Sequence, residues 1–235
     1  MIGRMTTVLA AFALAAAAAA PTSDVYFEQT TVPYAAGKPA GAGVVSRVWY
    51  GGRNMRMEAG GATPAPALIL RLDDNKAWRL DPVEKRAYAM TAERLRARSQ
   101  LDVAMAADLM GAHADTRVKT AALPGERTVA GYKCQGFRVS GGAVVMDLWV
   151  TSALPVGVET FAEFLEWSGA SDSLGPLLAE IRRLPGFPLQ SRSRVEVMGV
   201  TQETVATVTK VKLGAHPAGT FAPPAGWPVQ EEDWP

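Results

Sequence analysis

Three carboxylates, Asp73, Asp74 and Asp81, stand close together in the sequence and have the chemistry of a general acid and base. Each also sits at a turn signal, Asp73-Asp74-Asn75 or Asp81-Pro82, where a short polar side chain hydrogen-bonds the backbone; turn capping is the role expected of them. Asp147 differs, because it interrupts an otherwise apolar stretch at 143–150. Burial there would raise its pKa, and a salt bridge to an arginine of a neighbouring strand, or an outward orientation, is the expected resolution. His113 and His216 are the only histidines, and neither lies at metal-ligand spacing. A structural zinc site needs four ligands drawn from Cys, His and carboxylates, so no metal and no cofactor are expected. Cys134 is the one cysteine and can form no internal disulfide. It reads as a buried small hydrophobe, with a disulfide to another chain or a reactive thiol as alternatives. No nucleophile-elbow or phosphate-loop pattern occurs. No catalytic residue is assigned, and a non-enzymatic role is expected.

Two other residue types could recognise a partner. Arg71, Arg79, Arg86, Arg94, Arg96 and Arg98 fall in one short stretch. Hairpins are expected to gather the first three on the wet side of a sheet, either as a solvated face or as a patch for anionic head groups or an acidic partner. Methionine is more suggestive, being flexible and polarisable enough to fit varied apolar guests. Met55, Met57, Met90, Met146 and Met198 fall in predicted strands, Met105 and Met110 in a predicted helix. The candidate ligand-binding set is Met55, Met57, Leu68, Leu70, Trp78, Leu80, Tyr88, Met90, Met146 and Met198, lining a cavity between a curved sheet and its helices. An ordinary filled core is the alternative.

The elements that must position these residues follow an export signal. A basic start at 1–4, an apolar run at 8–20 and small residues before Pro21 read as a signal peptide over 1–20. That run is too short to cross a bilayer, which takes about 20 apolar residues. A periplasmic protein that does not span the membrane is expected, cut between Ala18 and Thr22. Of 24 basic and 23 acidic residues, Arg4 leaves with the signal, so the mature chain is neutral and nucleic acid is not an expected partner.

The remainder reads as one domain over 21–214, mainly β within an α+β class, with an irregular tail at 215–235 that Trp227 and Trp234 are placed to dock. Strands are predicted at 25–32, 44–50, 53–58, 67–72, 75–80, 85–90, 116–120, 132–139, 143–150, 191–198 and 203–213, joined by hairpin turns such as Gly51-Gly52 into an antiparallel meander. Helical periodicity appears at 91–110, through Leu101, Met105 and Leu109 with Gly111 as a stop. It returns at 157–184, where Gly169 and Pro176 are read as dividing two helices.

The run Ser46-Arg47-Val48-Trp49-Tyr50-Gly51-Gly52-Arg53-Asn54-Met55-Arg56-Met57-Glu58, with Lys76-Ala77-Trp78-Arg79-Leu80-Asp81-Pro82 and Tyr88-Ala89-Met90, resembles a secreted bacterial family known only as a domain of unknown function. Val129-Ala130-Gly131-Tyr132-Lys133-Cys134 and Met146-Asp147-Leu148-Trp149-Val150-Thr151 extend the pattern. More remotely, the layout is similar to the periplasmic lipoprotein-carrier (Lol-type) half-barrels. That resemblance implies a curved sheet of about ten strands with two or three helices on its concave face and an apolar cavity between them. Carriers of that type hold a lid shut with an arginine inside the cavity, and no arginine of this sequence is matched to it. The expected function is a non-enzymatic module for a lipid, acyl chain or other apolar ligand, with an envelope interaction or assembly protein using a sheet face or edge as the alternative and an uncharacterised hydrolase as the second.

Overall fold

Alternating apolar and polar residues, broken by turns that favour positive φ, make most of this chain strand. The computed structural model describes residues 24–60, 65–97, 117–167, 171–197 and 200–231. The signal at 1–20, His113, Met198, Trp234 and the helical stripe of Leu101, Met105 and Leu109 lie outside them. The strands are β1 (Val25–Ala35), β2 (Lys38–Pro39), β3 (Val44–Gly51), β4 (Asn54–Ala59), β5 (Ala67–Arg71), β6 (Lys76–Asp81) and β7 (Arg86–Met90). A helix, α1, begins at 92–97. Then follow β8 (Lys119–Val129), β9 (Tyr132–Gly141), β10 (Val144–Thr151), α2 (Val158–Leu165), α3 (Ser171–Ile181), β11 (Phe187–Val197), β12 (Val200–Leu213) and β13 (Val229–Glu231).

All thirteen strands form one open, curved sheet in the order β13-β7-β6-β5-β4-β3-β1-β12-β11-β10-β9-β8, with β2 paired to β1. Two meanders, β3–β7 and β8–β12, flank β1. Pairing is antiparallel except for β13, which runs parallel to β7. The count exceeds the expected ten or so chiefly because β2 and β13 are two and three residues long, too short to show alternation. The β8 strand also runs further than predicted. It carries Pro124-Gly125 as a bulge, the register shifting between Ala122 and Glu126.

The β3–β4 turn is Gly52-Arg53 rather than Gly51-Gly52, because Gly51 pairs with Asn54 while Gly52 takes a φ of 59°. Thr91 Oγ1 accepts a hydrogen bond from the Arg94 N–H at 3.1 Å and caps α1. Pro176 lies inside α3 instead of breaking it. It removes one intrahelical hydrogen bond, which the burial of Leu177, Leu178 and Ile181 offsets at about 1.5–3 kcal/mol per side chain.

Three buried clusters result. Val158, Ala162, Leu177, Leu178 and Ile181 of α2 and α3 share one with Val139, Met146, Leu148 and Val150 of β9 and β10. A second runs from Val25 and Phe27 through Val48, Tyr50, Met55 and Leu70 to Leu95 of α1. The third lies on the other face of β5–β7, where Ile69, Leu80 and Ala87 are packed by Trp78 and by Phe221 and Trp227 of the C-terminal segment.

Candidate functional site

Register across β3–β7 builds the methionine-bearing face. Tyr50, Met55, Leu70, Ala77 and Met90 lie opposite one another in one row; Val48, Met57, Leu68, Arg79 and Tyr88 form the next. Residues directly opposed in an antiparallel pair share a face, so both rows look the same way. The first row is buried as far as Ala77. In the second, Val48 is buried and Met57, Leu68, Arg79 and Tyr88 are half-exposed, so the strip opens towards its far end. There the Arg79 guanidinium lies 4.6 Å from the centre of the Tyr88 ring, whose hydroxyl donates to Glu84 at 2.7 Å.

The structure therefore brings together Met55, Met57, Leu68, Leu70, Tyr88 and Met90 and separates the rest of the candidate set. Trp78 lies opposite Ile69, and Leu80 opposite Ala67, on the reverse face under Phe221 and Trp227. Met146 is buried in the α2–α3 cluster. The three arginines expected to gather divide: Arg79 and Arg86 alternate onto the face of Leu68 and Tyr88, where Arg86 pairs with Glu84 at 3.7 Å, whereas Arg71 alternates with Leu70 onto the reverse side, where it pairs with Asp74. They form no common patch.

Helix α2 covers the buried end of the strip. Phe161 meets Phe187 edge-on at 6.1 Å, and Phe187 stacks on Phe27 at 4.9 Å. Between Tyr50, Met55, Leu70 and Leu72 on the sheet and Phe164 and Trp167 on the helical side remains a crevice of about 30 Å³. Ion pairs tie the helix down. Arg53, in the β3–β4 turn, donates to Glu163 at 2.7 Å; Arg96 of α1 donates to Glu166 at 2.7 Å; and Arg182 joins Glu166, at 2.8 Å, to Glu159. The first two pairs link positions 110 and 70 residues apart in sequence, so local patterning does not signal them.

The candidate chemical groups have structural partners. Asp81 Oδ1 accepts from the Val83 and Glu84 N–H groups at 2.9 and 3.0 Å, and Asp73 pairs with Arg53 at 3.6 Å. Asp147 lies between Arg138 and Arg194, which hold its carboxyl below the usual range against the opposing effect of burial. Cys134 is buried, which pushes its thiol up. His216 Nε2 donates to the Tyr50 carbonyl at 2.8 Å. Among the described residues no group of three metal-ligating side chains converges, and no helix is long and apolar enough to cross a membrane.

The site thus lies on a single open sheet, antiparallel but for β13, with helices against one part of it. Residues 47–227 match the family described as a domain of unknown function (DUF4412), and the chain belongs to that family. No curated protein matches the sequence. An uncharacterized conserved protein from Thermus thermophilus is similar at 10% identity and a TM-score of 0.45, over 88% of this chain and 90% of that one. A LolA superfamily protein from Nitrosomonas europaea is similar at 10% identity and a TM-score of 0.32, over 85% and 90%. A putative outer membrane lipoprotein-sorting protein domain from Vibrio parahaemolyticus is similar at 7% identity and a TM-score of 0.30, over 84% and 88%.

Proposed function

We propose that this is an exported, non-enzymatic periplasmic module that holds an acyl chain or other apolar ligand between the concave face of the sheet and its helices. The observation that carries the reading is the graded strip on β3–β7. Its apolar floor runs from Val48 through Met57 to Leu68 and then meets a cation, Arg79, held on Tyr88. An amphiphile has the same sequence of properties, an apolar chain and a polar or charged head. Methionine at Met57 and Met90 lets the floor adapt to chains of different shape.

The crevice under α2, about 30 Å³, has room for a water or two and not for a chain. Binding along the whole strip thus requires α2 to lift; the apolar packing of Phe161 and Phe164 on the core is exchanged for contacts with the ligand, and the ion pairs that yield are Arg53–Glu163 and Arg96–Glu166. Both are partly solvated pairs of the kind worth about 1 kcal/mol or less. Their rupture is a small cost beside the burial of an acyl chain at ~0.8 kcal/mol per methylene.

Native mass spectrometry of protein recovered from the periplasm tests this. A retained lipid mass, lost when the protein is delipidated and regained on adding fatty acid, is the expected result. Bare protein that binds no apolar probe would remove the reading. That outcome would favour an envelope interaction protein, for which the specific support is β8: it ends the sheet, and most of its eleven residues are exposed.

A further inference from the structure

We propose that the reverse face of the C-terminal meander carries a second site, for a small oxyanion, built on Arg127 and Trp149. Strand β8 curls towards β12 and encloses a cleft of about 560 Å³, within the roughly 300–1,000 Å³ typical of small-molecule sites. Arg127, Arg138, Asp147, Trp149, Gln190 and Arg192 line it.

The floor is fixed by a missing side chain. The Trp149 ring lies across Gly136, where a Cβ would come within 2.8 Å of the ring and 2.9 Å of Leu123 Cβ. The Trp149 side chain is buried, and the Arg127 guanidinium sits 4.1 Å from its ring centre. Arg127 Nη1 donates to Gln190 Oε1 at 2.7 Å, and Gln190 Nε2 donates in turn to Thr207 Oγ1 at 3.0 Å.

Arg127 is thus exposed yet held, and its partners, an indole and an amide, are both neutral. The neighbouring arginines differ: Arg138 and Arg194 share Asp147, and Arg192 has Glu203. Of the charged groups lining the cleft, Arg127, Arg138 and Arg192 stand against Glu126 and Asp147, leaving one positive charge in excess. A guanidinium that is pre-positioned, not neutralised and set in a concavity recognises a carboxylate or phosphate through paired hydrogen bonds. The ligand class is a small molecule bearing such a group.

The test is calorimetric titration of the mature protein at low ionic strength with inorganic phosphate and, separately, with succinate. Saturable binding of either supports the site. Phosphate alone indicates a phosphate ester as the natural ligand, succinate alone a carboxylate. Arg127→Gln is expected to weaken binding roughly tenfold or more, the size of one charge-assisted hydrogen bond. Arg127→Lys keeps the charge without the fork and is expected to fall between. No saturable binding of either anion at millimolar concentration overturns the proposal, as does an Arg127→Gln protein that binds like the wild type. Apolar-probe binding by Arg127→Gln should be unaltered, which separates this site from the strip on the other face.

Discussion

Asp147 is clasped from the adjacent strand by Arg138, which donates from Nε to Oδ1 at 2.6 Å and from Nη2 to Oδ2 at 2.8 Å. Arg194, on the strand to the other side, adds a bond to Oδ2 at 2.9 Å. Burial alone would raise the carboxyl pKa; the arginines overcome it and the pKa is lowered. A carboxylate depressed on folding stabilises the fold above its unfolded pKa of about 4, and that contribution disappears as pH falls through the folded value. Asp147→Asn should therefore cost about 1–3 kcal/mol at neutral pH, by leaving two guanidinium groups short of an acceptor. The variant should also lose less stability than the wild type on acidification. Urea unfolding at neutral pH and in acid measures both, and an unchanged midpoint at neutral pH would contradict the assignment.

Gly186 approaches the backbone of Thr151 so closely that a Cβ would stand 2.2 Å from the Thr151 carbonyl oxygen. Neither partner is a flexible side chain, so one segment must move. Gly186→Ala is expected to destabilise the protein by about 1–3 kcal/mol, as overpacking does. Gly157→Ala is the matched control, since a Cβ at Gly157 meets nothing within 4 Å. Equal melting temperatures for the two variants would refute the argument.

His216 fastens the C-terminal segment to the sheet. Besides its bond to the Tyr50 carbonyl, its ring meets Phe221 edge-on at 5.5 Å. His216→Ala should cost about 1 kcal/mol for the lost hydrogen bond. Amide exchange should accelerate at Ala87, whose N–H is bonded to the Pro228 carbonyl at 3.0 Å. If exchange there is unaffected, the segment is held by Phe221 and Trp227 without the histidine.

The N-terminal meander was legible because its turns are local. Asp73-Asp74-Asn75 and Asp81-Pro82 announce themselves, and Asn75 and Lys85 take the positive φ values, 52° and 51°, that close those hairpins. What depends on distant partners was not legible. Trp78 and Leu80 alternate correctly with Arg79, and Trp227 reads as docking the tail, but that it docks beside Phe221 over their side of the sheet is shown only by the structure. The Arg127–Trp149 platform assembles residues from four strands, β8, β9, β10 and β11, and none of them forms a motif with its sequence neighbours. One signal was present: Gly136 inside a strand, a residue that weakens strands unless another group must come close.

The division of the sheet into two faces makes the ligand-binding reading sharply testable. Met57 is half-buried on the strip, directly opposite Val48 and Leu68, whereas Trp78 lies on the reverse face. A lysine at position 57 can carry its charge towards solvent on its long stem, so the Met57→Lys protein is expected to remain folded. It nevertheless brings a charge to the apolar floor, where an unpaired charge is costly once a ligand excludes water. Affinity for an apolar fluorescent probe should fall roughly tenfold or more. Trp78→Ala should lower the melting temperature through the tail-side cluster while leaving probe affinity within about twofold of the wild type. Probe titration with circular dichroism on both variants decides the matter. A folded Met57→Lys protein with normal probe affinity, or a loss of affinity confined to Trp78→Ala, would place the site elsewhere than on this strip.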